Sequence, residues 1–238
     1  MGAEFTSRPY GGKTFRPRPE VHLDAEAGLL LVATPWGPRS VARKAIERML
    51  EYLTVAKQDN EATTPFGRLA GLSPAANALR TAAMLANESI LRDENKSEYK
   101  AGVELFAASF GEHEFTWVQA GAPQPFLARI GRRTLTPLGP QVDLALDLSD
   151  TGQTLLPALP SQLLGLDAWS NLHIGGFRAR SGDQVVLLSC SSPAEEFYST
   201  IPDTADLDVL SRTLAKGDPD QAFWLGILKL DDRKLSDE

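Results

Sequence analysis

Cys190 is the one thiol of the chain and sits in the run Ser189-Cys190-Ser191-Ser192. A thiolate there would be a strong nucleophile if a base or a cationic loop lay beside it. No histidine is near it in sequence, and the downstream arginine loop of a cysteine phosphatase is missing. A buried, inert cysteine is therefore expected. His22, His113 and His173 are scattered without metal-ligand spacing, and Glu112-His113-Glu114 reads as a hairpin tip. The serines beside Cys190 offer no nucleophile elbow, because no Gly-Xaa-Ser-Xaa-Gly occurs. Arg8, Lys13, Arg16 and Arg18 make the N-terminal stretch basic, and Arg39 and Lys44 follow. On charge alone these read as a solvated arm and a helix face.

The elements that must position such residues are legible in the apolar pattern. Leu29 to Ala33 form a continuous apolar run that reads as a buried strand, broken by Pro35 and Pro38. From Ser40 to Lys57, Ala42, Ile46, Met49 and Leu53 follow helix spacing, and Gln58 to Thr64 reads as a loop. Ser73-Pro74 is a helix start, an N-cap serine followed by proline at the first helical position. That helix is expected to reach Arg92 with Leu79, Ala82, Ala83, Ala86 and Ile90 buried. Short strands are expected at Val103 to Phe110, Glu114 to Ala120, Phe126 to Ile130 and Arg133 to Leu135, with a two-residue hairpin turn at Gly131-Arg132. Thr151 to Leu166 shows no clear period. Phe177 to Arg180 and Gln184 to Ser189 read as strands joined by a Ser181-Gly182-Asp183 turn. A helix over Ala205 to Lys216 and a strand over Ala222 to Leu230 close the pattern, which is an α+β layering.

Composition narrows the function classes. With 238 residues, 42% hydrophobic and 23% charged, the chain can bury a substantial core. A net charge of −7 argues against an electrostatic nucleic-acid binder. No apolar run approaches the roughly 18 residues of a membrane span, no secretory segment opens the chain, and one cysteine suits a reducing compartment, so a cytoplasmic protein is expected. The expected organisation is an N-terminal arm at 1–19, with a possible cloning remnant at 1–5, one domain at 20–230, and a charged tail at 231–238.

Several segments, in order, resemble the type 2C metal-dependent Ser/Thr protein phosphatases, also called the PPM family. That family's first metal strand reads Val-Ala-Asp-Gly-Met-Gly-Gly, and here stands Val32-Ala33-Thr34-Pro35-Trp36-Gly37-Pro38. Ala86-Asn87 with Ile90 matches its long helix, and Ala101-Gly102-Val103-Glu104 its Met-Gly-Thr-Thr strand start. Its Gly-Asp-Ser-Arg, aromatic, Arg-Xaa-Gly and Leu-Thr series is similar to Gly121-Ala122-Pro123-Gln124, Phe126, Arg129-Ile130-Gly131 and Leu135-Thr136. Its Gly-Asp, apolar strand and Ser-Asp-Gly-Leu is echoed by Gly182-Asp183, Val185 to Leu188 and Ser189 to Ser192, and its late Asp-Asn by Asp220-Gln221.

The resemblance implies a four-layer α-β-β-α sandwich, two antiparallel sheets flanked by helices. It also implies a carboxylate cluster holding two divalent metals whose shared water attacks phosphate. Thr34, Ala122 and Cys190 stand at metal-ligand positions, leaving Glu20 and Asp220 as residual carboxylates. Hard cations such as Mg²⁺ or Mn²⁺ need carboxylate oxygens, so neither a metal cofactor nor catalysis is expected. Arg16, Arg18 and Arg39 remain candidates to hold a phosphate without metal. Trp36, with Pro35 and Pro38, would either fill the emptied cleft or anchor a partner. The expected function is an inactive, phosphatase-like binding or regulatory module in Ser/Thr phosphorylation signalling, its partner a kinase, a phosphoprotein or an active phosphatase. The alternatives are an active Mg/Mn enzyme with a displaced site at Glu20, Asp24, Glu26, Asp183 and Asp220, and an unrelated scaffold or assembly protein.

Overall fold

A computed structural model of the chain describes residues 2–58, 66–111, 113–140, 162–190 and 193–231. Two five-stranded sheets pack face to face. The strands are β1 (Gly2–Tyr10), β2 (Glu20–Asp24), β3 (Leu29–Trp36), β4 (Gly102–Phe110), β5 (Glu114–Ala120), β6 (Gln124–Ala128), β7 (Thr136–Pro137), β8 (His173–Arg178), β9 (Gln184–Ser189) and β10 (Phe223–Asp231). One sheet runs β2-β3-β4-β5-β8 and the other β1-β10-β9-β6-β7, with every pairing antiparallel. Helices α1 (Ser40–Gln58) and α2 (Pro74–Asp93) cover the first sheet, while α3 (Glu195–Tyr198) and α4 (Leu207–Gly217) cover the second.

Strand alternation divides the core into three layers. Leu29, Leu31, Leu105 and Ala107 face α1 and α2, packing on Met49, Leu79 and Ala83. Leu30, Val32, Phe106, Trp117, Leu187 and Leu228 fill the space between the sheets. Val186, Leu188, Leu225 and Ile227 face Phe197, Leu210 and Leu214. The expected four-layer sandwich is the observed fold.

Ser73 caps α2 as expected, its hydroxyl accepting from the Ala76 N–H at 3.2 Å, with Pro74 opening the helix. Ser73→Ala is expected to cost about 1 kcal/mol of stability in chemical denaturation. A loss no larger than that of an exposed serine on the same helix would show that the cap is dispensable.

Several element boundaries differ from the sequence expectation. Residues 2–10, expected to lie outside the domain, form a full edge strand against β10, from Gly2 opposite Asp231 to Tyr10 opposite Phe223. Their alternation is weak because Ser7 and Pro9 stand on the face where Ala3 and Phe5 pack inward. Strand β3 runs past Pro35 to Trp36, because beyond Ala33 it has β4 on one side only and an edge tolerates a residue without an N–H. Strand β8 begins at His173, earlier than expected. Gly175 and Gly176 mask its pattern, and the Trp117 ring covers Gly175 so closely that an added Cβ would sit 2.2 Å away. Strand β6 spans Gln124–Ala128, because its partner β9 starts at Gln184, opposite Ala128. Seven residues, 129–135, therefore link β6 to β7 in place of the expected two-residue hairpin, turning where the Arg132 N–H meets the Arg129 carbonyl at 3.0 Å. Gln58, expected to begin a loop, instead ends α1, while residues 59–64 of that loop and most of the aperiodic stretch from Thr151 lie outside the described residues.

Candidate functional site

Four central strands change character at the same end of the sandwich. On their inward faces, β3 reads Leu30, Val32, Thr34, and β4, followed backwards, reads Phe110, Ala108, Phe106, Glu104. Likewise β5 reads Phe115, Trp117, Gln119, and β9 reads Val185, Leu187, Ser189. Each apolar series ends in a polar side chain, and all four are buried: Thr34 at 0%, Glu104 at 2%, and Gln119 and Ser189 at 1% exposure. The result is a polar layer sealed between the sheets, bordered by Trp36 and by Trp224, which stands opposite Ser189.

Glu104 is the centre of that layer. It lies directly across from Thr34, and its Oε2 accepts from the Trp36 indole Nε1 at 2.9 Å. Its Oε1 accepts from the Ala122 N–H at 2.8 Å. Gly121 makes this approach possible. Its φ is +70°, and an added Cβ would meet the Gln162 carbonyl oxygen at 2.6 Å and the Glu104 Cγ at 2.8 Å. Gln119 donates through Nε2 to the Gly121 carbonyl at 2.8 Å, fixing the turn from the other side. Ala122, one of the three expected metal positions, is thus bonded to a carboxylate that stands across the sheet from a second, Thr34. The half-buried Trp36 closes over that carboxylate and is not an exposed anchor. Sequence reasoning passed over Glu104. The available signal was an acid in phase with Phe106, Ala108 and Phe110, on the apolar face of its strand.

The remaining site residues are dispersed. Cys190 is buried as expected, but on the outer face among Phe126, Leu188 and Phe197, its Sγ donating to Gln221 Oε1 at 2.8 Å. At the end of β9 it is Ser189, not Cys190, that faces the space between the sheets. Glu20 pairs with Ala33, and alternation with the inward-packed Val21 and Leu23 turns it to the opposite face from Glu104. Asp220 lies at the correct end but is held by the N-terminal segment. Lys13 Nζ bonds its Oδ2 at 2.7 Å, and the N–H groups of Lys13 and Thr14 donate to its carbonyl. The hydrogen bond to Asp220, helped by its charge, raises the Lys13 ammonium above its ordinary pKa. Arg8 pairs with Asp208 of α4 at 2.7 Å, away from the polar layer. Arg16 is half-buried, Arg18 is exposed, and Arg39 is exposed immediately before α1.

The set Glu20, Asp24, Glu26, Asp183 and Asp220 does not converge. Asp24 ends β2 and accepts from the Ala27 N–H at 2.8 Å, and Glu26 is exposed in the following turn. Asp183 starts β9 at the far end from Ser189, where Arg129 grips both its oxygens at 2.8 and 2.6 Å. These three mark the opposite end of the sandwich from Thr34 and Ala122.

A pair of hard divalent cations needs several free carboxylate oxygens at one place. Here the buried polar layer contributes one carboxylate, with each oxygen already accepting a hydrogen bond, together with two hydroxyls and an amide. Among the described residues, no group of three or more His, Cys, Asp or Glu is positioned to hold a metal. The described residues of this layer do not fit a dinuclear metal centre.

No protein-family model matches the sequence, and no curated protein matches it. Solved structures do. The chain is similar to the PPM Ser/Thr phosphatase MsPP of Mycobacterium smegmatis in complex with cacodylate, at 17% identity and a TM-score of 0.65 over 97% of this chain and 100% of that one. The catalytic domain of the Ser/Thr phosphatase PstP with two manganese ions is similar at 18% identity and TM-score 0.60, covering 97% and 99%. PppA, a key regulatory component of T6SS in Pseudomonas aeruginosa, is similar at 14% identity and TM-score 0.64, covering 96% and 98%. At these identities the likeness is one of fold, and it spans nearly the whole of each chain.

Proposed function

We propose that this chain, which has the fold of the PPM-type Ser/Thr phosphatases, is a catalytically inactive relative of them that works by binding. It would be a regulatory module in Ser/Thr phosphorylation signalling, in the cytoplasm, taking as partner a kinase, a phosphoprotein or an active phosphatase. The observation that carries the proposal is the state of Glu104. Among the described residues it is the only carboxylate in the buried polar layer, and the Trp36 indole and the Ala122 N–H occupy it. A group so engaged cannot also hold a pair of cations and activate the water between them. Thr34 and Ala122 add no charge, and Asp220 is already paired with Lys13.

Binding without metal needs a surface that recognises phosphate or protein. Arg16, Arg18 and Arg39 are the candidates for the phosphate, since a guanidinium matches two phosphate oxygens at once. None of the described helices is long and apolar enough to cross a membrane.

Calorimetric titration of Mn²⁺ into chelator-treated protein, followed by a phosphopeptide hydrolysis assay at millimolar metal, tests the reading. No saturable heat and no metal-dependent release of phosphate are expected. Saturable binding of a pair of ions together with hydrolysis would overturn it.

A further inference from the structure

We infer that the polar layer beneath Trp36 is an internal hydration site, with ordered water bridging Thr34, Gln119 and Ser189. Among the described residues, six buried side-chain polar atoms lack a hydrogen-bond partner, and three of them are Thr34 Oγ1, Gln119 Oε1 and Ser189 Oγ. A fourth is the indole N–H of Trp117, the next inward-facing position on β5. Three of the six lie in that one layer, a clustering that scattered packing defects would not give, and Trp117 borders it from beneath, level with Leu30 and Ala108. Each of the four belongs to a residue at most 3% exposed, so bulk solvent does not satisfy them.

The chemistry of the four atoms selects the ligand. Gln119 Nε2 is committed to the Gly121 carbonyl, which leaves Oε1 as a pure acceptor. Thr34 and Ser189 carry hydroxyls that both donate and accept, and Trp117 offers only a donor. None of the four hydrogen-bonds another, which leaves a gap in the network for a bridging molecule. Water is the small molecule that donates to an acceptor, accepts from a donor and spans such a gap. A buried space lined by polar groups fills with water, whereas an apolar one stays dry. Trp36, bonded to Glu104 at the border of the layer, slows exchange with bulk solvent. The inference concerns the metal-free chain and holds or fails independently of whether the domain hydrolyses phosphate.

Thr34→Val and Ser189→Ala test it, because each deletes a hydroxyl with little change in shape. If the hydroxyls anchor a shared water network, each variant melts lower by roughly 2–4 °C, and the double variant loses less than the sum. If the layer is dry, each variant removes an orphaned polar group, and its melting temperature stays level or rises. That outcome overturns the inference. Should either variant fail to fold, water-selective nuclear Overhauser spectroscopy on the unaltered protein decides. Cross-peaks from long-lived water to the Trp117 indole proton and the Thr34 methyl are expected, and their absence rejects the hydration site.

Discussion

Arg129→Ala is expected to destabilise the domain by about 3–5 kcal/mol, the cost of leaving a buried carboxylate without its cation. Asp183 is 2% exposed, and Arg129 reaches both its oxygens while also donating to the Arg178 carbonyl at 2.9 Å. Its third contact, the Arg180 N–H at 2.9 Å, closes the turn into β9 but brings no charge. The hydrogen bond to Asp183 outweighs burial and raises the already high pKa of Arg129, so the guanidinium stays charged through the ordinary pH range. Replacing both partners by apolar residues of similar size, Arg129→Met with Asp183→Leu, should recover much of the loss, because no charge is then stranded. Urea denaturation of the single and double variants measures this. A single-variant loss below about 1 kcal/mol would place the pair among surface bridges of small worth.

The second large effect is expected at Glu104. Glu104→Ala should cost about 2 kcal/mol, because a buried donor without a partner costs roughly 1–3 kcal/mol. Among the described residues the Ala122 N–H has Glu104 as its acceptor, whereas the half-buried Trp36 can turn its indole N–H to water. Trp36→Phe removes only one donor and should therefore be the milder change. The pair also separates two roles. If Glu104 closes the end of the sandwich, both variants lower stability and neither creates metal-dependent phosphatase activity. Should Trp36→Phe release Glu104 to bind Mn²⁺ saturably, the carboxylate would be a ligand held in reserve rather than part of a closure.

Much of the fold was legible because it is written along single segments. The apolar runs of β3, β4, β5, β9 and β10, and the Ser73-Pro74 start of α2, depend only on local pattern. The elements that escaped were those whose pattern a neighbour supplies. Edge strand β1 carries Ser7 and Pro9 on its inward face and is held by its pairing with β10, and β8 reads as a strand once Trp117 lies over its glycine. The site divides in the same way. Thr34 and Ala122 were legible as residues standing where the resemblance calls for a carboxylate, since that comparison is position by position. Glu104 was not, because its place opposite Thr34 and its bond to the Ala122 N–H belong to a strand some 70 residues later in sequence than Thr34.

The sequence by itself determined the layered α+β pattern, the order of strands and helices, and the lack of acidic side chains at the compared strand ends. Only the tertiary structure decided that Glu104 lies buried beside Thr34 and Ala122, that Trp36 closes over it, that Cys190 faces outward, and that Asp183 belongs to Arg129. The reason is physical. A periodicity of two or 3.6 tells which face a side chain occupies, while its partner across a sheet depends on register and on which strands are neighbours.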